Sequence, residues 1–259
     1  METVSSSGFI ERDVPKKKKK KLSKIGKIAI SLVLLIFTLI ILFVLTRKVN
    51  SIKIEGNDLV SDEYILELLD LNEDSTIFDG YNFVKISQAK KDKLIDDIDV
   101  KIKKGRLLVV TVKENKPVGQ RVINDKTQLI LASGDIIDYQ SGSIKDLTLL
   151  PYFVDIDDEK TSKIAQKFAQ LDNDNLFRIS EVHDLSFTYD ADMVKLVMDE
   201  GYYIYSSLEG ITYVKNYLQI IANDQNDNKC ILIMEQYNKA IKMDCSELEK
   251  YEVVQNEEE

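Results

Sequence analysis

Residues 98–113 read IDVKIKKGRLLVVTVK, and this stretch decides the fold. Ile98, Val100 and Ile102 alternate with Asp99, Lys101 and Lys103, the period of two that gives a strand one apolar face. Lys104-Gly105-Arg106 supplies a turn. Leu108, Val110 and Val112 then return on one face, with Thr111 and Lys113 on the other, so the segment is a β-hairpin. Upstream, Ser51-Ile52-Lys53-Ile54-Glu55 alternates in the same way, and Gly56-Asn57-Asp58 breaks it, because Gly and Asn tolerate positive φ. Ser61 suits a helix N-cap, with Asp62 and Glu63 in the first turn, where the helix dipole favours them. Tyr64, Ile65, Leu68 and Leu69 then share one helical face. A turn around Asp79-Gly80 precedes a second helix predicted over 83–95, with Phe83, Ile86, Ala89 and Leu94 inward. The order strand, helix, helix, strand, strand predicts an α+β lobe over 49–117, two helices covering one face of a small sheet. It carries no residue pattern that suggests chemistry and looks built to dock.

Before this lobe, Ile28 to Leu45 reads IAISLVLLIFTLIILFVL, 18 residues without a charge, Pro or Gly. At a rise of about 1.5 Å per residue it spans roughly 27 Å, close to the hydrocarbon core of a bilayer. Ser31 and Thr38 can bond back to their own helix carbonyls. Lys16, Lys17, Lys18, Lys19, Lys20 and Lys21 form an unbroken run, joined by Lys24 and Lys27, and mark the cytoplasmic side of a transmembrane helix over 28–46. A cleaved signal peptide also has a basic start, but its apolar core is shorter and ends at a small-residue site, whereas the exit here reads FVLTRKVN. The charge balance agrees. Residues 1–27 carry nine Lys/Arg against three Asp/Glu, whereas the whole chain has 35 against 44. The acidic bulk argues against nucleic-acid binding, which needs a basic footprint. The expectation is a single-pass type II protein with its N-terminus in the cytoplasm and its bulk outside.

Beyond Pro117, residues 118–245 predict a mixed, strand-rich β domain with two helices, followed by a charged tail over 246–259. Val118–Ile123, Thr127–Leu131 and Ile136–Tyr139 read as strands separated by Asn124-Asp125 and Ser133-Gly134 turns. A helix over 158–171 would place Ile164, Phe168 and Leu171 on one side. Leu185, Phe187 and Tyr189 alternate, Asp190-Ala191-Asp192 would turn the chain into Val194–Met198, and Tyr202–Tyr205 would return. Ile211, Val214, Leu218 and Ile221 are spaced for a helix of about three turns. Cys230–Met234 is a continuous apolar strand, and Gln236 to Met243 offers one more.

Sites of chemistry are hard to find. Cys230 and Cys245 have no spaced His or Cys partner, so they form no metal pattern; two unpaired thiols are the expectation, with a disulfide as the alternative. The lone His183 reads as structural. Gly142-Ser143 lacks the second glycine of a nucleophile elbow. The groups 155–158 and 172–175 are acidic, yet they lack the glycine and closing Glu of a calcium loop and read as solvated. Tyr202, Tyr203 and Tyr205 read as cross-strand packing rather than a binding stripe. No cofactor or metal is expected.

A membrane anchor followed at once by this order resembles a POTRA domain. IKIEGND, Thr76-Ile77-Phe78 and the closing LLVVTVKENKPVG are similar to the FtsQ/DivIB family of bacterial division proteins, with Glu114, Asn115, Lys116, Pro117 and Val118 in place of its Glu-x-x-Pro-like element. Leu131 to Ile136, Leu150-Pro151, Ile179-Ser180-Glu181-Val182 and Asp199-Glu200-Gly201 resemble further family motifs in the same order, so that the likeness runs from about 16 to 243. Lys104-Gly105-Arg106 stands where the family has a proline turn, and Asp96-Asp97-Ile98 where it has Pro-x-Val. The resemblance implies a non-enzymatic scaffold, concentrated at the septum, that helps control peptidoglycan synthesis. It also implies that C-terminal strands bind FtsL-type and FtsB/DivIC-type partners. The matching stretch here is Ile231 to Lys242, with Ile231, Ile233, Tyr237 and Ile241 as the expected partner-binding edge. A membrane-tethered cell-wall enzyme or a signal receptor are the rival readings.

Overall fold

The computed structural model describes residues 24–187, 190–222 and 228–250. The chain divides into two units between Arg47 and Lys48. The first unit holds one helix, α1 (Lys24–Leu45), with Ile28 and Leu45 both inside it and no residue buried. It is long and apolar enough to cross a membrane. Thr38 Oγ1 donates to the Leu34 carbonyl at 2.8 Å, the local bond that lets a hydroxyl sit in such a helix. The run Lys16–Lys21 lies outside the described residues.

The second unit begins with β1 (Ser51–Glu55), α2 (Asp62–Leu69), α3 (Ile77–Gly80), α4 (Phe83–Ala89), β2 (Ile95–Lys103) and β3 (Leu107–Glu114). These strands make a sheet of order β1-β3-β2, with β3 parallel to β1 and antiparallel to β2. Ile98, Val100, Leu108, Val110 and Val112 are buried, as the alternation requires. Ser61 caps α2, its Oγ accepting from the Tyr64 amide. Gly56 sits at φ +88, where a side chain would meet the Val112 carbonyl.

Three expectations for this lobe need correction. The Asp79-Gly80 turn is the short helix α3, because Thr76 and Asp79 each accept the other's amide in a reciprocal cap. The second helix stops at Ala89, and Ile95 already opens β2. Asp92 ends it by accepting the Leu94 amide at 2.9 Å, a local turn that competes with the helix. Phe83, expected inside, is 80% exposed, while Ala89 and Leu94 are buried.

The rest of the unit is a nine-stranded sheet of β4 (Pro117–Ile123), β5 (Lys126–Leu131), β6 (Ile136–Asp138), β7 (Tyr152–Val154), β8 (Ile179–Phe187), β9 (Asp190–Met198), β10 (Tyr203–Ser207), β11 (Cys230–Met234) and β12 (Lys239–Met243). Its order is β12-β11-β10-β9-β8-β7-β4-β5-β6. Helices α5 (Asp158–Phe168) and α6 (Asn173–Leu176) separate β7 from β8; a 3-10 helix (Glu209–Asn216) and α7 (Tyr217–Ala222) separate β10 from β11; α8 (Cys245–Glu249) ends the described chain. Ile130, Phe153, Ile164, Phe168, Val194, Leu196, Ile204, Ile211 and Ile231 share the main core. Phe153 and Phe168 meet edge to face, with centroids 5.8 Å apart.

Here too the local chemistry revises the sequence reading. Helix α5 ends at Phe168, three residues early, although Leu171 is still buried. Asp190, Ala191 and Asp192 belong to β9, since Phe187 already pairs with Asp190; Tyr189 lies outside the described residues. The predicted helix through Ile211 and Ile221 is mostly 3-10. Three residues per turn align Ile211, Val214 and Tyr217, so Tyr217 is buried and Leu218 is exposed. The acidic groups are helix caps: Asp157 accepts the Lys160 amide and Asp172 the Asn175 amide.

Within the three-stranded lobe, Glu114 accepts the Val60 amide at 2.7 Å and the Leu59 amide at 3.1 Å, which fixes the loop after β1. That loop meets the larger sheet's chain, where Val60 pairs with Ile144. The Lys116 carbonyl accepts from the Ala132 amide, and its Nζ reaches the Leu171 carbonyl. From the far side, the Lys145 amide donates to Leu59, and Lys145 Nζ donates to the Asn57 carbonyl at 2.6 Å. The loop over residues 57–60 therefore carries the contacts to Ile144 and Lys145, and Glu114 of the Glu-x-x-Pro-like element holds that loop in place.

Candidate partner-binding edge

The nine-stranded sheet ends at β12, which is antiparallel to β11 in the register Cys230↔Met243, Leu232↔Ile241 and Met234↔Lys239. β11 is in turn parallel to β10, through Tyr203↔Cys230 and Tyr205↔Leu232. A parallel pair needs a crossover. The 3-10 helix and α7 lie within that crossover, and Ile211, Val214 and Tyr217 from it join the main core. β12 therefore hangs on a strand that is itself clamped from behind. Among the described residues no strand pairs with its outer side, so the backbone N–H and C=O groups there can take a further strand.

The expected site residues separate. Ile231 and Ile233 do form a ladder with β12, but β11 is interior and both side chains are buried in the core. Tyr237 is not on a strand: it ends a 3-10 turn, Glu235–Tyr237, and is 66% exposed. Ile241 alone of the four is on the edge, 41% exposed. The resemblance set the edge across Ile231 to Lys242, whereas the continuous apolar run of β11 is what a strand covered on both faces needs. The more polar Lys239-Ala240-Ile241-Lys242-Met243 was the better edge signal, since lysine guards exposed edges.

The two faces of β12 differ. Ala240 packs with the main core, and Lys242 Nζ lies 5.2 Å from the Tyr202 ring centroid. Lys229 approaches the same ring at 4.3 Å, so two cations share one aromatic ring. Tyr202 meets Tyr217 edge to face at 6.1 Å. Tyr217 donates to Glu200 Oε2 at 3.1 Å, and Glu200 pairs with Arg178. Burial, then the Glu200 charge, pushes the Tyr217 phenol well above its ordinary range, so it stays a donor. On the opposite face, Met243 and Leu232 pack on a small cluster of Phe187, Met193, Tyr205, Cys230 and Leu248.

Cys230 and Cys245 form a disulfide, with Cα atoms 5.2 Å apart, which corrects the expectation of two unpaired thiols. The sequence separation was uninformative. What brings them together is the β11–β12 hairpin, which places Met243 opposite Cys230, followed by Asp244 capping α8. Tyr202, Tyr203 and Tyr205 do pack across strands; Phe187 stacks on Tyr205 at 6.0 Å, and Lys195 lies over the Tyr203 ring at 5.1 Å. His183 is partly exposed beside Glu181, Nε2 to Oε2 2.8 Å. Among the described residues no group of three or more His, Cys, Asp or Glu could hold a metal ion.

Comparison with known proteins gives a consistent answer. No family model matches the chain. It is 23% identical over 191 residues to the cell division protein DivIB of Erysipelothrix rhusiopathiae (strain Fujisawa), covering 73% of this chain and 70% of that one. It is 24% identical over 201 residues to DivIB of Bacillus subtilis (strain 168), covering 76% of each. DivIB of Bacillus cytotoxicus matches at 23% over 177 residues, 66% of this chain and 69% of its own. The solved major extracytoplasmic domain of the trans isomer of DivIB from Geobacillus stearothermophilus aligns with 42% of this chain and 92% of its own length, at 19% identity and a TM-score of 0.36. The resemblance to the FtsQ/DivIB family drawn from the motifs is borne out by the three curated relatives.

Proposed function

We propose, from the likeness to FtsQ/DivIB division proteins, that this chain is a membrane-anchored, non-enzymatic scaffold of the bacterial division machinery. In this reading α1 crosses the membrane once, the lysine run holds the N-terminus in the cytoplasm, and residues 49–117 and 118–245 form two adjoining extracytoplasmic modules. The protein gathers at the septum. There it binds FtsL-type and FtsB/DivIC-type partners by strand addition and so acts on septal peptidoglycan synthesis.

The observation that carries the binding step is the open outer side of β12. Strand addition takes its affinity from main-chain hydrogen bonds and its selectivity from alternate side chains. Ile241 and Tyr237 are the exposed apolar groups there, and Lys239 favours an acidic segment beside them. Proline tests this without removing the fold. Successive amides of a strand point to opposite sides, so Ala240→Pro and Ile241→Pro each remove one donor, one from the β11 ladder and one from the open side. The variant that keeps wild-type thermal stability should lose co-purification with the FtsL-type and DivIC-type partners and lose its mid-cell band. Full co-purification by that variant would refute strand addition at β12.

A further inference from the structure

The three-stranded lobe has an exposed apolar patch that the β12 reading leaves unused. Phe78, Tyr81, Phe83 and Val84, along α3 and the start of α4, are 60%, 43%, 80% and 66% exposed. Their position in the chain is what matters. Lys48 pairs with Thr76, the residue that caps α3, and the Val49 amide donates to the Ser75 carbonyl at 3.0 Å. Lys48 Nζ also holds Asp74 at 2.7 Å. The segment leading into the patch is thus fastened to the first residues of the second unit.

Those residues follow α1 almost directly. Only Thr46 and Arg47 lie between Leu45 and Lys48, so extended chain can separate them by about 11 Å at most. The headgroup layer on each side of the hydrocarbon core is roughly 5–8 Å thick. A helix that spans the bilayer therefore keeps Lys48 within or just beyond that layer.

A basic turn is fastened to the same entry point. Arg106 Nη1 donates to the Lys48 carbonyl at 3.1 Å, and the Asn50 amide donates to the Arg106 carbonyl. Lys103 and Lys104 beside it are exposed. Of the nearby acids, Asp74 is tied to Lys48 and Asp79 within the α3 cap, while Glu73 is exposed beside them. Aromatic side chains together with Lys and Arg are the composition that lies in a lipid interface.

We propose that this end of the lobe rests on the lipid surface, with Phe78, Tyr81, Phe83 and Val84 in the headgroup layer and Lys103, Lys104 and Arg106 on lipid phosphates. The inference depends on α1 being a membrane anchor, so its test separates the two. The chain contains no tryptophan, so Phe83→Trp introduces a single fluorophore at an exposed position. The full-length variant is reconstituted into vesicles of phosphatidylcholine and phosphatidylglycerol, with or without acyl chains brominated near the headgroup. Tyr237→Trp, also exposed and near β12, is the reference. Emission from position 83 should shift to the blue and fall about twofold with brominated lipid, as for an interfacial aromatic, whereas position 237 should not respond. Adding Lys103→Glu and Lys104→Glu should reduce that quenching. Protein that floats with the vesicles but is unquenched at position 83 would overturn the lipid contact alone, including the case in which a blue shift without quenching shows the patch covered by another copy of the chain. Protein that fails to float would overturn the anchor and the contact together.

Discussion

Replacing both Cys230 and Cys245 by Ala should loosen the C-terminal edge of the sheet before the rest. The bridge spans a sequence separation of 15 and ties the first residue of β11 to the first residue of α8. Opening a loop of that length restores unfolded-chain entropy worth about 3 kcal/mol. For a folded region of roughly 200 residues, about 2–4 °C are lost per kcal/mol, so Tm should fall by about 6–12 °C. Ala is preferred to Ser because Cys230 is fully buried, and a hydroxyl there would add a desolvation cost of its own. Thermal melts of the wild type with and without reductant, beside the double variant, give the direct measure. Reductant should lower the wild-type Tm to that of the variant and leave the variant unchanged. Amide exchange adds the location. β11 is held by Ile231 and Ile233 in the core, whereas β12 and α8 depend on Met243, Leu248 and the bridge, so exchange should rise over 239–249 well before it rises over 230–234. A melt insensitive to reductant, with unchanged exchange over 239–249, would refute the claim that this bridge holds the edge.

Two further predictions address the core and Glu114. If the 3-10 helix sets the register over 209–216, Ile211→Ala should cost about 2–5 kcal/mol in urea unfolding, whereas Leu218→Asp should change stability by no more than about 0.5 kcal/mol; a large loss at Leu218 would restore the α-helical register. In the three-stranded lobe, burial raises the Glu114 carboxyl above its ordinary range, against the Val60 and Leu59 amides, which pull it down. The native state therefore takes up this proton at higher pH than the unfolded state. The stability of the wild type relative to Glu114→Gln should accordingly rise as pH is lowered from neutrality toward the ordinary carboxyl range, and level off below it. A difference that shrinks on acidification would contradict the assignment.

How much was legible depends on which force set each element. The hairpin through Lys104-Gly105-Arg106, the strand Ser51–Glu55 and the Ser61 cap follow from local period and capping, and the sequence displays both. What escaped was set by competition or by distance. Thr76 and Asp79 convert an apparent turn into a helix through a reciprocal cap, and Asp92 truncates the next helix with one side-chain bond. Ile211, Val214 and Leu218 satisfy an α-helical spacing, but a period of three brings Tyr217 inward, where its hydroxyl finds Glu200. The pairing of Cys230 with Cys245 and the interior place of β11 are products of sheet order. No periodicity within a single strand records which neighbour it will acquire.

Sheet order also explains why the proposed strand addition is placed at β12 rather than at β6. β6 has three residues, and the chain beyond it turns back to pair Ile144 with Val60, so little backbone is offered there. β12 has five residues, backed by a disulfide and a buried strand, which gives an incoming strand a rigid template. Rigidity in an open edge invites association between identical copies. In parallel register a second β12 would set Lys239 against Lys239 and Lys242 against Lys242, and like charges directly opposite are destabilising. The same lysines would favour an acidic strand of a different protein. An edge held firm by covalent and core contacts, and charged against parallel copies of itself, fits the proposed docking of a strand from a different protein.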